Sequence, residues 1–313
     1  MEVHFGSENL LILNVILAFM MFGVSLSLTG DDFRRVVRRP DAPIVGLLAQ
    51  FVLLPAATCL TTWWFEVDAE LALGMILVAS CPGGSFSNIM TWLGRGNVAV
   101  SVSMTAVSSL AAMVMTPFNF SLYGWINPHT RPILTDIQLD SLEILMLVVL
   151  VLGLPLVIGM AVGKAFPAFA RGAQKPMRYI TLLVLLLFVG VAFGNNVDVF
   201  LATADRIVGL VVFQNLLALG LGAFAAGFTG LPRADRRAIT MEVGIQNSGL
   251  GLAILFTFFP DESGMILIAA FWGVWHLVSG LVLAGIWSRR TARREVQAAE
   301  TAGSTHGNSR GEP

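Results

Sequence analysis

Two interrupted hydrophobic segments carry the side chains best suited to binding small ions. The first reads LALGMILVAS over residues 71–80 and continues as CPGGSFSN over 81–88, and the second reads MEVGIQNSG over 241–249 and continues as LGLAILFTFF. Each combines a helix-breaking element, a Ser-Asn or Asn-Ser pair and oxygen-bearing side chains within membrane-length apolar sequence. Paired segments of this kind indicate the binding site of a secondary transporter.

Glu242 is the most isolated ionisable residue in the chain. It begins the second interrupted segment, and Gln246 follows four residues later, so both side chains would share one face of a helix. A charged side chain deep in a membrane span costs about 2.5–3.5 kcal/mol, so it usually faces a cavity or a partner. The alternative is an interfacial residue that pairs with Arg236 or Arg237.

The first segment is broken by Pro82, Gly83 and Gly84, because they remove a backbone donor and loosen the helix. Ser87 and Asn88 follow directly. A half-helix that starts here would present free N–H groups and a positive dipole end to an anion. Unwound carbonyls and side-chain oxygens would instead suit a monovalent cation, and the two uses can coexist. A Pro-Gly kink without a ligand is the alternative.

Polar residues also occur in two other apolar segments. Ser101 and Thr105 lie four residues apart on one helical face, with Ser108 and Ser109 one turn further on. Small polar residues at this spacing serve either ion binding or helix packing. His276 lies in the last apolar segment and is either a substrate or proton ligand or a hydrogen-bonded packing residue.

The composition places these segments in a lipid bilayer. The chain of 313 residues is 56% hydrophobic and 12% charged, against about 25% charged in soluble domains. Windows of about 20 apolar residues predict an all-α membrane protein with nine spans. The spans are placed near residues 10–29, 43–65, 70–92, 98–122, 142–166, 178–197, 206–229, 238–259 and 264–287.

The distribution of basic residues predicts the orientation. With nine spans, the main Lys and Arg clusters fall on one side, which places the N-terminus outside and the C-terminus in the cytoplasm of a plasma or bacterial inner membrane. This topology explains the basic face without a nucleic acid partner. Residues 1–290 then form one membrane domain, and the polar segment 291–313 is expected to be a disordered tail.

A weak internal symmetry relates the two halves of the chain. Gln50 and Gln214 each lie in an apolar span that precedes an interrupted span and then a closing span. The two sets start from opposite sides of the membrane, so the repeats are inverted and their broken helices are expected to cross.

Together these motifs resemble the bile acid:sodium symporter family. The similarity is carried by CPGGSFSNIMTWLGRGNVAVSVSMT at 81–105, EVGIQNSGL at 242–250, QFVLLPAAT at 50–58 and VWHLVSG at 274–280. The resemblance implies sodium-coupled import of a small organic anion, without an enzymatic activity and without a cofactor other than two coupling sodium ions. The expected architecture has core helices at 43–122 and 206–287 and panel helices at 10–29, 142–166 and 178–197.

The resemblance also implies two sodium sites and a substrate cavity. The first sodium site would use Ser87, Asn88, Ser101, Thr105 and Glu242. The second would use Gln50, Glu242, Gln246 and the backbone carbonyls of Val243 and Ile245. The substrate cavity would be formed by Gly84, Ser85, Phe86, Asn247, His276 and Leu277. Phe86 and Leu277 depart from the family's usual residue types, which leaves the identity of the anion open.

Four other functions compete with this interpretation. An arsenite efflux permease of the related superfamily would use the thiol of Cys81 together with Glu242. A membrane receptor would bind the ligand without transporting it, and a channel would conduct without sodium-dependent affinity. An intramembrane enzyme built on Cys81, His276 and Glu242 matches no known catalytic spacing. The oligomeric state is not indicated by the sequence.

Overall fold

The computed structural model describes residues 28–136, 149–195 and 197–308, residue 146, and part of the segment 15–26. Helices dominate throughout these ranges, and the described residues form no β-sheet. In chain order the helices are α1 (Gly30–Arg38), α2 (Asp41–Trp64), α3 (Ala69–Ser80), α4 (Phe86–Leu93), α5 (Val98–Ile126), α6 (Arg131–Asp136), α7 (Leu154–Ala165), α8 (Pro167–Asn195), α9 (Val197–Phe228), α10 (Arg233–Gly244), α11 (Ser248–Phe258) and α12 (Ser263–Asn308).

Four described helical stretches are long and apolar enough to cross a membrane. They are Asp41–Trp64, Val98–Ile126, Phe200–Phe228 and Ser263–Arg293. The pair Leu154–Ala165 and Pro167–Ala173 adds a fifth if it counts as one span, although it bends by 118°. The predicted nine spans are therefore matched only in part.

The difference between the nine predicted spans and the helices observed has a different cause in each region of the chain. The predicted spans at 70–92 and 238–259 are each divided into two shorter helices, α3 with α4 and α10 with α11. The span at 178–197 lies within α8, whose apolar stretch runs from Tyr179 to Val191. Much of the first span and part of the fifth lie outside the described residues.

Two turns of π-helix precede prolines in the chain. Ala49–Leu53 form the first, within α2, and Val149–Gly153 form the second, just before α7. Pro55 lacks an N–H, so the carbonyl of Phe51 has no donor four residues later along the helix. Asn119 of α5 supplies that donor, with its Nδ2 at 2.8 Å from the Phe51 oxygen. This contact holds the distorted turn that contains Gln50.

The last helix continues through Asn308, where the sequence led us to expect a disordered tail. Ala, Glu, Gln and Arg dominate the first part of this segment and are strong helix formers. The segment also extends a helix that the apolar stretch before it has already formed, so the cost of nucleation does not arise.

Acidic side chains cluster at the turn between α11 and α12. Glu70 accepts a hydrogen bond from the N–H of Gly264 at 2.9 Å, near the start of α12. Glu262 lies in the same turn, and partial burial raises the pKa of its carboxyl above the ordinary value, with Glu70 and Asp261 raising it further.

Candidate ion and substrate site

The two breaks in the helices meet and pair through their backbones. The N–H of Gly84 donates to the carbonyl of Ile245 at 2.7 Å, and the N–H of Asn247 donates to the carbonyl of Pro82 at 2.8 Å. These bonds flank an antiparallel bridge between Gly83 and Gln246. The two breaks, which the sequence predicts to cross, are therefore in direct contact.

Two glycines make this close approach feasible. A Cβ on Gly84 would lie 2.9 Å from the carbonyl oxygen of Gln246, and one on Gly83 would collide with the carboxylate of Glu242. Neither glycine has a positive φ, so the requirement concerns space and not backbone conformation.

The carbonyls freed at the breaks are bound by side chains from neighbouring helices. Thr116 Oγ1 donates to the carbonyl of Ser80 at 2.8 Å, and Gln50 Nε2 lies 3.4 Å from that of Cys81. On the other half-helix pair, Asn215 Nδ2 donates to the carbonyl of Gly244 at 2.9 Å. At each break, an amide side chain from the preceding long helix thus binds a carbonyl at the end of the first half-helix. Backbone groups that lose their helical partners within a membrane need such replacement partners.

Glu242 lies at the centre of a group of hydroxyls. It is completely buried, and its carboxylate accepts hydrogen bonds from Ser87 Oγ, from Ser101 Oγ at 3.1 Å and from Thr105 Oγ1 at 2.6 Å. Thr105 Oγ1 also lies 3.3 Å from Oδ1 of Asn88. The structure therefore brings together all five side chains of the first predicted sodium set.

An interfacial Glu242 paired with arginine is not what the structure contains. Arg236 donates from Nε to the carbonyl of Leu231 at 2.6 Å, and Arg237 donates from a terminal nitrogen to the carbonyl of Gly94 at 2.8 Å. Both guanidinium groups thus bind backbone carbonyls near the amino end of α10. Glu242 lies near the carboxyl end of the same helix and is buried among hydroxyls.

The second predicted sodium set is also assembled around the crossing. Gln50 Nε2 lies 3.3 Å from Oε1 of Gln246, whose Nε2 donates to the carbonyl of Val243 at 2.9 Å. The carbonyl of Ile245 takes part in the backbone pairing with Gly84. Oε1 of Gln50 is buried and has no hydrogen-bond partner among the described residues. A buried acceptor without a donor is costly unless a cation or water binds it.

A small cavity opens beside the crossing. Its volume is about 40 Å³, enough for a few water molecules and well below the roughly 300–1,000 Å³ of typical small-molecule sites. Five residues predicted for the substrate cavity line it, namely Gly84, Ser85, Phe86, Asn247 and His276.

The polar groups of this cavity are held in defined orientations. His276 is buried, with Nδ1 at 2.7 Å from the carbonyl of Trp272 on the preceding turn. Asn247 caps α11 by accepting from the N–H of Leu250 at 3.1 Å, and its Nδ2 lies 3.7 Å from the sulfur of Met21.

Leu277 lies elsewhere, contrary to the sequence prediction. It packs against the apolar cluster formed by Met90, Met241, Ile245 and Ala284 and does not line the cavity. On a helix, its neighbour His276 points about 100° away, and it is His276 that lines the cavity.

Several residues at the site were missed by sequence reasoning. Met21, Thr181 and Leu185 line the cavity from the region of the first predicted span and from α8. Thr181 could have been noticed in the sequence, because it places a hydroxyl within an apolar span. Met21 and Leu185 could not, since they are ordinary apolar residues there. Ser109 also lines the cavity, and it belongs to the hydroxyl-rich face already noted in the sequence.

Comparison with known proteins decides the family. The sequence model of the Sodium Bile acid symporter family matches residues 14–203, more than half of the chain. The chain belongs to this family. The match includes the first break and Gln50 and ends before the second break.

Individual members extend the similarity across the second break. The chain is 31% identical over 285 residues to the uncharacterized sodium-dependent transporter YocS of Bacillus subtilis, covering 90% of this chain and 85% of that protein. It is 31% identical over 282 residues to the probable sodium/metabolite cotransporter BASS1, chloroplastic, of Arabidopsis thaliana, covering 90% and 67%. It is 28% identical over 249 residues to the human sodium/bile acid cotransporter 4, covering 79% of this chain and 56% of that protein.

Membership of the symporter family confirms the family predicted from the sequence. It identifies an integral membrane protein of a sodium-dependent transporter family, and the names of the relatives are those of transporters and not of enzymes. Cys81, on which the arsenite-efflux alternative depends, is fully buried at the end of α3.

Proposed function

We propose that this protein imports a small organic anion in symport with sodium by alternating access. The observation that carries the proposal is the paired crossing of the two broken helices around a buried Glu242 whose hydrogen-bond donors are hydroxyl groups. Such a site offers oxygen ligands and one negative charge to a monovalent cation.

The first sodium ion would be held by Ser87, Asn88, Ser101, Thr105 and Glu242. A hydroxyl can turn its proton away and offer a lone pair instead, so the three groups that donate to Glu242 can also bind a cation. Thr105 Oγ1 and Ser101 Oγ lie 2.6 and 3.1 Å from the carboxylate. These distances support a site in which small rotations of the hydroxyls would direct their lone pairs to the ion.

The second sodium ion would be held by Gln50, Gln246, Glu242 and the carbonyls of Val243 and Ile245. The buried Oε1 of Gln50 without a described donor supports a cation at this point. Gly83 lies beside both sets, because it pairs with Gln246 and its Cα approaches the carboxylate of Glu242. A single carboxylate at this junction would couple the two ions.

The anion would bind in the cavity between the crossing and α8. Two half-helices begin there, at Phe86 and Ser248, and their positive ends favour a carboxylate or sulfonate. Asn247 and His276 would supply the polar contacts, and Phe86 would limit the width. Because the cavity holds only about 40 Å³, substrate entry requires the surrounding helices to separate.

That separation would be a rocking of two subdomains in a nine-span protein. The core would comprise the helices at 43–122 and 206–287, and the panel those at 10–29, 142–166 and 178–197. The core would contain two inverted repeats, with the N-terminus outside and the C-terminus in the cytoplasm. Two sodium ions with a monovalent anion would move one net charge inward, which adds about 2.3 kcal/mol of driving force per 100 mV.

A thermal-shift screen followed by uptake measurements would test the proposal. Purified protein is heated with carboxylates and sulfonates, in sodium or in potassium at equal ionic strength. A ligand that stabilises only in sodium is then supplied to proteoliposomes with and without a sodium gradient. We expect uptake to depend on sodium and to be lost in Glu242→Ala and Gln246→Ala.

Ser103→Ala is the matched control, because the hydroxyl of Ser103 is buried on α5 without a described partner. Uptake that is indifferent to sodium and unchanged in both site variants would rule the coupling out. Binding in sodium without any uptake would indicate a receptor.

A further inference from the structure

A second cavity lies where the carboxyl end of α9 and the amino end of α10 meet the middle of α12. Its volume is about 350 Å³, within the range of small-molecule sites. It is lined by Ala223 of α9, by Arg233, Arg236, Arg237 and Thr240 of α10, and by Trp287 and Arg290 of α12. None of these residues lines the cavity at the crossing of the broken helices, so the two sites are separate.

Four guanidinium groups converge on this cavity. Two of them are anchored, since Arg236 donates to the carbonyl of Leu231 at 2.6 Å and Arg237 donates to Thr291 Oγ1 at 3.0 Å. Arg237 also lies over the ring of Trp287, with its Cζ 5.5 Å from the ring centroid. Arg233 and Arg290 are exposed at the rim.

The charge of the described lining is entirely positive. No Asp or Glu is among the described residues that line the cavity. Asp235, the acid nearest in sequence, accepts a hydrogen bond from Asn97 Nδ2 at 2.7 Å and is not among them. Arg233, Arg236 and Arg290 place three like charges around one volume, and such charges repel each other unless an anion binds between them. The amino end of the twelve-residue helix α10, which begins at Arg233, adds further positive potential.

Membrane topology alone does not account for this arrangement. A basic loop satisfies the charge rule for orientation wherever its side chains point. Arg289 and Arg293 satisfy it on the same helix without lining the cavity. Convergent arginines with bidentate donor geometry are instead the means by which proteins recognise phosphate. Basic pockets between membrane helices commonly take phospholipid headgroups.

We propose that this cavity binds a phosphate-bearing anion, supplied either by an anionic phospholipid headgroup or by a soluble phosphate. The anion offsets the charge of the arginines and links the carboxyl end of α9 and the amino end of α10 to the middle of α12. Two neighbouring features place the cavity next to lipid. Phe224 and Phe228 are exposed on the same end of α9 and stack at 6.0 Å, and Trp287 belongs to a residue type enriched at membrane interfaces.

The test compares two double variants of equal charge. Arg233→Gln with Arg290→Gln removes two lining arginines, and Arg289→Gln with Arg293→Gln removes two exposed arginines outside the lining. Purified protein is titrated with phosphatidylglycerol in phosphatidylcholine nanodiscs and, separately, with inorganic pyrophosphate in detergent. Thermal stability and native mass spectrometry report binding.

We expect the lining variant to weaken binding by about 25-fold, since each arginine near an anionic headgroup contributes about fivefold. The control variant should change the affinity for the anion by less than threefold. Arg233→Lys with Arg290→Lys should bind more tightly than the glutamine variant, because the positive charges are kept. Tight binding of phosphatidylglycerol alone assigns the site to a lipid, and tight binding of pyrophosphate assigns it to a soluble anion.

Two results would overturn the proposal. One is binding of neither anion more tightly than phosphatidylcholine or chloride. The other is an equal loss in both double variants, which would mean diffuse surface charge and not a site. Helix content by circular dichroism verifies that the variants fold. Sodium-dependent stabilisation should persist in the lining variant, since it leaves Glu242 and its hydroxyl partners unchanged, so failure here would not reflect on the transport proposal.

Discussion

Replacing Gly84 with alanine is the sharpest test of the crossing, because the structure gives the size of the clash. The added Cβ would lie 2.9 Å from the carbonyl oxygen and 3.3 Å from the carbonyl carbon of Gln246. Both atoms belong to the backbone, so no side-chain rotation relieves the contact. The two backbone segments, around Gly84 and around Gln246, must separate by about half an ångström to reach van der Waals distance.

The expected cost follows from the rigidity of packed interiors. An extra methyl in a tightly packed site costs about 1–3 kcal/mol. In the proposed second sodium site the ion is bound by the carbonyls of Val243 and Ile245, and these belong to the backbone segment that must move. If the whole cost opposes sodium binding, the half-saturating sodium concentration rises by about 5- to 150-fold.

The assay is thermal stability of the purified protein over a range of sodium concentrations, with potassium keeping the ionic strength constant. Gly220→Ala is the matched control, since a Cβ at Gly220 has no neighbour within 4 Å and alanine is favoured in a helix. We expect Gly220→Ala to respond to sodium as the unmodified protein does. A folded Gly84→Ala protein whose sodium dependence stays within twofold of the unmodified protein would refute the reasoning.

Three further predictions concern single groups. Thr105→Val removes a hydrogen bond to a buried charge and should weaken sodium-dependent stabilisation by about 10- to 150-fold, whereas Ser103→Ala should not alter it. Asn119→Leu leaves the carbonyl of Phe51 without a donor and should lower the free energy of unfolding by about 1–3 kcal/mol, measured by denaturation in detergent; an unchanged value would contradict the role given to this contact. The pKa of Glu262 is raised by burial and by two nearby acids, so its contribution to stability is complete below the ordinary pKa of glutamate and is lost as pH rises through the raised value. Glu262→Gln should therefore flatten the pH dependence of melting and raise the melting temperature at neutral pH, and an identical pH profile would argue against the raised pKa.

Much of the fold could be predicted from local sequence. The apolar stretches in α2, α5, α9 and α12 are long enough to identify helices, and Pro82 with two glycines marks the first break. The division of the predicted spans into short half-helices was less visible, because hydropathy averages across a break of three to five residues. After residue 291 the composition predicts disorder, whereas helix propensity and continuity with the apolar part of α12 favour the helix that extends to Asn308.

The assembly of the site could be predicted only by resemblance to a family. Glu242 contacts Ser87, Ser101 and Thr105 across more than 130 residues of chain, and no local pattern encodes such pairs. The carbonyl ligands are also invisible to local reasoning, since every residue has one. Asn215, which binds the carbonyl of Gly244, was missed because an amide in an apolar span has many uses.

The two breaks arise from different causes, and this difference bears on how the site is built. The first is encoded locally, because Pro82 and the glycines cannot continue a helix. The second contains no proline, and Ile245 and Gln246 are tolerated within helices. Its carbonyls instead accept hydrogen bonds from the N–H of Gly84 and from Asn215 Nδ2, and the N–H of Asn247 donates to the carbonyl of Pro82.

The second break therefore depends on the first, because the pairing partners of Ile245 and Asn247 belong to the Pro-Gly-Gly segment. The carboxylate, amide and carbonyl ligands attributed to α10 and its break are consequently positioned by a segment about 160 residues away in sequence. A substitution in the first break should then impair both proposed sodium sites together. A substitution of a single ligand such as Gln50 should impair one site and leave the crossing intact.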